Sequence, residues 1–373
     1  MGKEKKITSK QMAKERGLRV ALIGTAETVS DYSVVAGHLL AGLAGESIAS
    51  ALVCPLGADV GTVASPSTEV IRYPAFGQPL LWRQEWTSLA ASVAEFGPTV
   101  LHCLSEKGAL LVRWLSHVLG IGYVLSVNSF ADWWGQYLVS KRRCLKIIVP
   151  SRSIAFNIAG RYGQFSQRVE LINPGTFVEA GSGSFREDGG PFVVATAHRP
   201  GKAEDFRVLL GTARHLALEG YELMMVILGD GRGEEKLRSM IKTLGLVQKV
   251  TIVPRLSWWR SVLAAGDIFV QPVVQDSFNP YMLEAMGVGA AVAGCRGGVD
   301  DLLIEDRTAV LFEADDEFSM KDALQRLLQS REFSRQIAAG AQRYLKENHS
   351  VSNMMSSFLH VYLEAQSEGG GVL

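Results

Sequence analysis

Asp276 and Glu284, with seven residues between them, stand at the head of an apolar, helix-like pattern in the segment DSFNPYMLEAMGVGAAVAGCRGGVDD, residues 276–301. The run 268–271 before it reads as a buried strand, so Asp276 falls on the loop after a strand and Glu284 about one turn into a helix. A helix start presents unpaired N–H groups and the positive end of a dipole, both of which attract anions such as phosphate. A carboxylate near it can accept bonds from two hydroxyl groups, each worth about 1.5–3 kcal/mol before desolvation. Gly297 and Gly298 follow the next strand, and without a Cβ they allow close approach to such an anion. Cations to meet it come from the sequence AHRPGKAEDFR after the strand at 192–195, where Arg199 and Lys202 are the candidates and Arg207 the reserve. Fixed cations stabilise a departing phosphate when no metal does. No Asp-x-Asp triad or His cluster suggests a metal site.

These residues need rigid elements to position them, and the apolar runs supply a repeated pattern. Strands are expected at 19–23, 49–54, 99–103, 123–127, 146–149 and 169–172, alternating with helices at 33–43, 86–96, 108–119 and 151–162. The alternation restarts with strands at 192–195, 223–228, 250–253, 268–271 and 290–293, and helices at 205–218, 234–244, 258–265, 280–286 and 299–304. Helices at 320–330, 332–347 and 352–365 close the chain. Such alternation implies doubly wound parallel sheets, and two of them would place a ligand where the carboxyl ends of both face each other. The expected organisation is a basic tail at 1–18, a first α/β domain at 19–178 and a linker at 179–190. A second α/β domain at 191–350 follows, then a helix and tail at 351–373.

Bulk properties fit that reading. The 373 residues exceed what one core usually serves, and 47% are hydrophobic against 20% charged. Lys plus Arg and Asp plus Glu both number 38, which argues against a dedicated nucleic-acid binder. Cys54, Cys103, Cys144 and Cys295 form no C-x-x-C pair, so neither zinc nor a disulfide framework is expected and a reducing cytoplasm is the default. No run of 18 apolar residues spans a membrane. The basic start reads as a solvated tail, with peripheral contact to anionic lipid at the inner face of the membrane as the alternative. The first strand leads to GTAETV, not G-x-G-x-x-G, which disfavours a nicotinamide enzyme.

The segment 276–301 resembles the donor-binding core of the GT-B glycosyltransferases, in particular the large retaining family four. That family shows acid–Gly–Phe–Gly, four apolar residues, then Glu-Ala-Met-Ala-x-Gly-x-Pro-Val. Phe278, Leu283, Glu284, Ala285, Met286, Gly289 and Val292 match, and Gly297-Gly298 stand where the later Gly-Gly does. The resemblance implies two Rossmann-like domains facing a central cleft, an acceptor-side one at 19–178 and a donor-binding one at 191–350, with the helix in 351–373 packing back toward the first. It implies transfer of a sugar from a nucleotide sugar, such as a UDP- or GDP-sugar. It further implies retention, no metal, and a glycan, lipid-linked or small-molecule acceptor. Glu284 would take the ribose, Asp276 and the backbone of Phe278 and Asn279 the transferred sugar, and Arg199 and Lys202 the phosphates. Gly229 in the turn at 229–231, Arg255 and Leu256 stand at further donor-contact positions, and Gly24 stands alone where the family often carries a Gly-Gly loop touching donor phosphate or acceptor, so the acceptor loop differs. Asn128 stands where the family carries a His facing the sugar. It can hydrogen-bond a hydroxyl but cannot act as a base, which suits a front-face displacement in which the leaving phosphate takes the acceptor proton.

Several positions depart from the pattern. Asp276 replaces the usual Glu, Asn279-Pro280 replaces Gly-x, and Ala290-Ala291 replaces Leu/Ile-Pro. Donor identity and activity are what these changes bear on. His102 reads as a strand-end His, and Trp82, Trp86, Trp133 and Trp134 read either as an acceptor platform or as packing. The alternatives are a catalytically silent GT-B protein serving as partner or scaffold, and a nucleotide-sugar epimerase or sugar phosphorylase on the same scaffold. The nucleotide base, the acceptor and the oligomeric state stay open at this level.

Overall fold

Short apolar runs rich in Val, Ile, Leu and Ala become strands covered on both faces, as a parallel sheet with helices above and below requires. The computed structural model describes residues 17–61, 63–64, 66–74, 82–131, 135–179, 190–197, 203–229, 233–254 and 259–369. The chain divides into two compact units, Met1–Gly175 with Val351–Leu373, and Thr176–Ser350. The division falls at 175/176, and residues 180–189, read as linker, lie outside the described residues, as does the start at 1–16.

The first unit holds seven parallel strands: β1 Arg19–Ile23, β2 Ala49–Pro55, β3 Glu69–Tyr73, β4 Val100–Cys103, β5 Tyr123–Ser126, β6 Cys144–Val149 and β7 Val169–Leu171. Their order is β3-β2-β1-β4-β5-β6-β7. Val20 lies beside Ser50 on one side and Val100 on the other. The helix Ser33–Gly45 sends Leu39, Leu40 and Leu43 into the core beneath, and the last helix, Val351–Gly369, adds Phe358, Leu359 and Tyr362 to the same cluster. This is why the terminal helix belongs to the first unit: its apolar face is buried there. On β4, His102 is fully buried, with Nδ1 2.7 Å from the Tyr362 hydroxyl and Nε2 2.8 Å from Ser126 Oγ. Burial lowers its pKa to about 3, so it serves as a neutral structural group.

The second unit holds six parallel strands: β8 Phe192–Ala197, β9 Leu223–Leu228, β10 Val250–Val253, β11 Ile268–Gln271, β12 Ala291–Cys295 and β13 Val310–Phe312, in the order β10-β9-β8-β11-β12-β13. Its core joins Val194, Ile268 and Val270 with Leu209, Leu210 and Leu327 from the helices Arg207–Leu218 and Glu317–Gln329.

Strands β3 and β13 were not expected from the sequence, and the helix expected at 299–304 is absent. That stretch is a chain of turns: Leu303 N–H donates to Asp300 O, and Thr308 Oγ1 donates to Leu302 O while accepting from Ile304 N–H. Leu303 lies against Gly294, filling the space a Cβ would need. Among the described residues no helix is long and apolar enough to cross a membrane.

Candidate active site

In open parallel sheets, ligands settle outside the carboxyl ends of the strands where the strand order reverses. In the second unit that reversal lies between β8 and β11. The chain leaving β8 enters residues 198–202, and the chain leaving β11 enters 272–279. Asp276 sits exposed on the second of these loops. Arg199 and Lys202 lie outside the described residues, as do Arg255, Leu256, Trp133 and Trp134. Gly229 ends β9, and its N–H donates to Val253 O at 3.0 Å.

The Asp276 loop is pinned from behind. Gln275 and Gly298 form a parallel bridge, and Val299 N–H donates to Gln275 O at 2.7 Å. Gly298 has φ +71°, and a Cβ there would run into the Gln275 carbonyl. Glycine at 298 therefore serves this close approach of loop to loop. Gly297 has φ +95° with open space around it, and its N–H donates to Asp300 Oδ2 at 3.0 Å.

The start of the helix Pro280–Val288 differs from the expected anion cradle. Asn279 is its N-cap, with Oδ1 accepting from Tyr281 N–H at 3.0 Å and Met282 N–H at 3.2 Å. Pro280 has no N–H to offer, and Leu283 N–H already donates to Asn279 O. The first turn is thus capped internally, because Asn caps strongly where the more usual Gly would not. The cap also orients a neighbour. With Oδ1 turned to the helix, Asn279 Nδ2 faces Gln271 Oε1 at 3.4 Å, which leaves Gln271 Nε2 as the outward end of that amide. Gln271 is 1% exposed at the end of β11, and its Nε2 has no partner. Phe278 is buried beside the same turn.

Glu284 is fully buried. Its Oε1 accepts from Thr176 Oγ1 at 2.5 Å and its Oε2 from Arg260 Nε at 2.7 Å. Arg260, on the short helix Trp259–Ala264, also donates from Nη1 to Glu179 Oε1 at 2.6 Å and from Nη2 to Phe177 O at 3.0 Å. The two carboxylates hold the guanidinium's pKa above its ordinary value against the opposing effect of burial. Glu179 N–H and Gln342 Nε2 both donate to Gly287 O, extending the network. None of Thr176, Arg260 or Gln342 was signalled by the sequence, since each lies in an unremarkable context far from residues 276–301. Among the described residues, no group of three His, Cys, Asp or Glu could hold a metal ion.

In the first unit the strand order reverses between β1 and β4. Gly24 ends β1, with its N–H donating to Val53 O at 2.9 Å and its carbonyl accepting from Tyr73 Oη at 3.1 Å. A Cβ there would lie 2.8 Å from Val29 Cγ2, so Gly24 is used for packing and its N–H is committed to the sheet. Asn128, just after β5, donates from Nδ2 to Leu104 O at 2.7 Å, while its backbone N–H donates to Glu106 Oε2 at 3.1 Å. Ser129 Oγ donates to the other Glu106 oxygen at 2.5 Å. Trp86 packs edge-on against Trp114, centroids 4.6 Å apart.

Residues 191–330, which contain the Asp276 loop at the β8/β11 reversal, match the model of the family described as glycosyl transferases group 1. The second unit carries a glycosyl transferases group 1 domain. The two doubly wound sheets give the chain an α/β two-domain GT-B fold. The chain is 25% identical over 294 residues to sulfoquinovosyl transferase SQD2 of Arabidopsis thaliana, covering 70% of this chain and 56% of that protein. It is 27% identical over 252 residues to the D-inositol 3-phosphate glycosyltransferase of Salinispora tropica, covering 60% of this chain and 52% of that protein. The chain thus spans little more than half the length of these relatives. Among solved structures, Anabaena HepE in complex with UDP and glucose has a similar fold, with TM-score 0.77 at 13% identity over 92% of this chain and 99% of that one.

Proposed function

We propose that the chain transfers a sugar from a nucleotide-sugar donor to a sugar-containing, lipid-linked or small-molecule acceptor, with retention and without a metal ion. The observation that supports this best is the position of the Asp276 loop at the β8/β11 reversal, inside the segment that matches the glycosyl transferases group 1 model. A UDP-sugar is the first donor to test, because the similarly folded HepE is described with UDP and glucose.

In this reading Arg199 and Lys202 neutralise the leaving diphosphate, which takes the acceptor proton, and Asp276 orients the transferred sugar. Gln271 Nε2, left without a partner among the described residues, bonds a sugar hydroxyl. Glu284 has two of its roughly four lone-pair sites occupied and keeps the rest for the ribose. Having no accessible surface, it meets the ribose only after neighbouring side chains move. The acceptor enters the first unit at a cavity of about 390 Å³ at the carboxyl end of β5, lined among others by Glu106, Ser129, Phe130, Leu138 and Tyr162. We place the activity in the cytoplasm, in keeping with four buried free thiols.

A panel of UDP-, GDP- and ADP-sugars, scored for nucleotide release and thermal shift, tests the reading. Asp276→Asn should lower turnover far more than nucleotide affinity. A parental rate in that variant would remove Asp276 from the site. The internally capped helix start and the paired, buried Glu284 favour a second reading, a catalytically silent GT-B protein acting as scaffold or partner. Absence of both turnover and thermal shift across the panel would establish it.

A further inference from the structure

The helix Ala109–Leu119 in the first unit carries Leu110, Arg113, Trp114 and His117 at the spacing of one helical face. Together with Ser140, Arg142 and Arg143 from the turn before β6, they line a cavity of about 540 Å³. The turn leads into the N-terminal end of β6, and His117 lies in the last turn of its helix. The cavity therefore belongs to the opposite edge of the sheet from the strand carboxyl ends and is separate from the acceptor cavity beside β5.

Its charge is uncompensated. The chain as a whole is neutral, yet three guanidinium groups and an imidazole converge here, and among the described residues none of the four is in an ion pair. Arg113 Nη1 donates to Tyr137 O at 2.9 Å, which fixes its head group at the rim. Arg143 Nη1 is buried and has no partner among the described residues. Buried donors are almost always paired, and an unpaired guanidinium nitrogen in a cation-lined cavity is a position for an anion. Trp114 and Leu110 add an apolar wall beside the cations.

We propose that this cavity binds a phosphate or diphosphate group carried on an apolar body. Arg113, Arg142 and Arg143 take the phosphate oxygens, in the fork geometry that favours arginine for that purpose. Trp114 and Leu110 cover the apolar part.

The test is calorimetric titration with inorganic pyrophosphate in saturating UDP, which keeps the donor site out of the measurement, and flotation with phosphatidylglycerol or phosphatidylcholine vesicles. Wild type should bind pyrophosphate. Arg113→Gln with Arg142→Gln, and separately Arg143→Met, should each weaken that binding roughly tenfold or more, the loss expected for one charge-assisted bond. Arg143→Met guards against a folding artefact, because it removes a nitrogen that bonds nothing in the fold. Flotation with phosphatidylglycerol but not phosphatidylcholine, lost in the same variants, would identify a lipid headgroup as the source; pyrophosphate binding without flotation would identify a soluble phosphate. Wild type that binds neither probe, or variants that bind as wild type does, would overturn the proposal.

Discussion

Replacing Arg260 by Met tests the network that holds Glu284. Arg260 makes three bonds, but they are unequal. Glu179 is 49% exposed, and a solvent-exposed pair contributes about 0–1 kcal/mol. Glu284 is 0% exposed, and stripping one partner from a buried pair costs about 3–5 kcal/mol. Arg260 itself is 35% exposed, so water partly replaces it and the expected loss falls to about 2 kcal/mol. For a unit the size of Thr176–Ser350, that lowers the melting temperature by roughly 4–8 °C. The assay is a double-mutant cycle by thermal and urea denaturation with Arg260→Met, Glu284→Gln and the pair. Because each single change leaves the other group without its charge partner, the double variant should be more stable than the sum of the two losses, with a coupling of about 1–2 kcal/mol. Strict additivity would show that the pair carries no interaction energy, and the account of Glu284 as a held, oriented carboxylate would fail.

His102 predicts a pH dependence in the first unit. Its folded pKa lies near 3 against an ordinary value of 6.5, so between these values the unfolded chain binds a proton that the folded one cannot. Stability should be complete above pH 6.5 and fall on acidification by up to about 1.4 kcal/mol per pH unit. Urea midpoints from pH 7 to 5 should show that slope, and His102→Gln should flatten it; an unchanged slope refutes the assignment. Gln271→Met should lower the ligand-free melting point by no more than about two degrees, since its Nε2 has no partner to lose among the described residues and its Oε1 gives up only a 3.4 Å bond from Asn279, while reducing the shift produced by UDP-glucose but not by UDP. A melting point lowered by several degrees without ligand would mean that Nε2 is paired in the resting protein.

The strands of both sheets were legible because buried parallel strands are continuous apolar runs bounded by Gly, Asn and Pro, as at 19–23, 223–228 and 268–271. The helix expected at 151–162 starts where a serine can cap it, and the Ser151 hydroxyl accepts from Ile154 N–H. Strand β3 escaped because EVIRY lies at the sheet edge, between stretches without periodicity, and mixes charges with apolar residues. Strand β13 has only three residues, and the apolar run before it imitated a helix. The motif 276–301 begins on the loop after β11 in the second unit, but the bonds inside it were not legible. Spacing alone could not show that Asn279 turns its side chain onto its own helix start, nor that Arg260 and Thr176, 24 and 108 residues from Glu284, converge on one carboxylate. Such contacts are set by tertiary packing and leave no local periodicity.

The most direct test of the central claim is a crystal structure of the wild-type chain soaked with UDP-glucose. The account predicts a diphosphate between residues 198–202 and 272–279, with the glucose within hydrogen-bond reach of Asp276 and Gln271. A nucleotide bound elsewhere, or a site at the β8/β11 reversal that stays empty while the same crystals take up UDP-glucose at another surface, would contradict it.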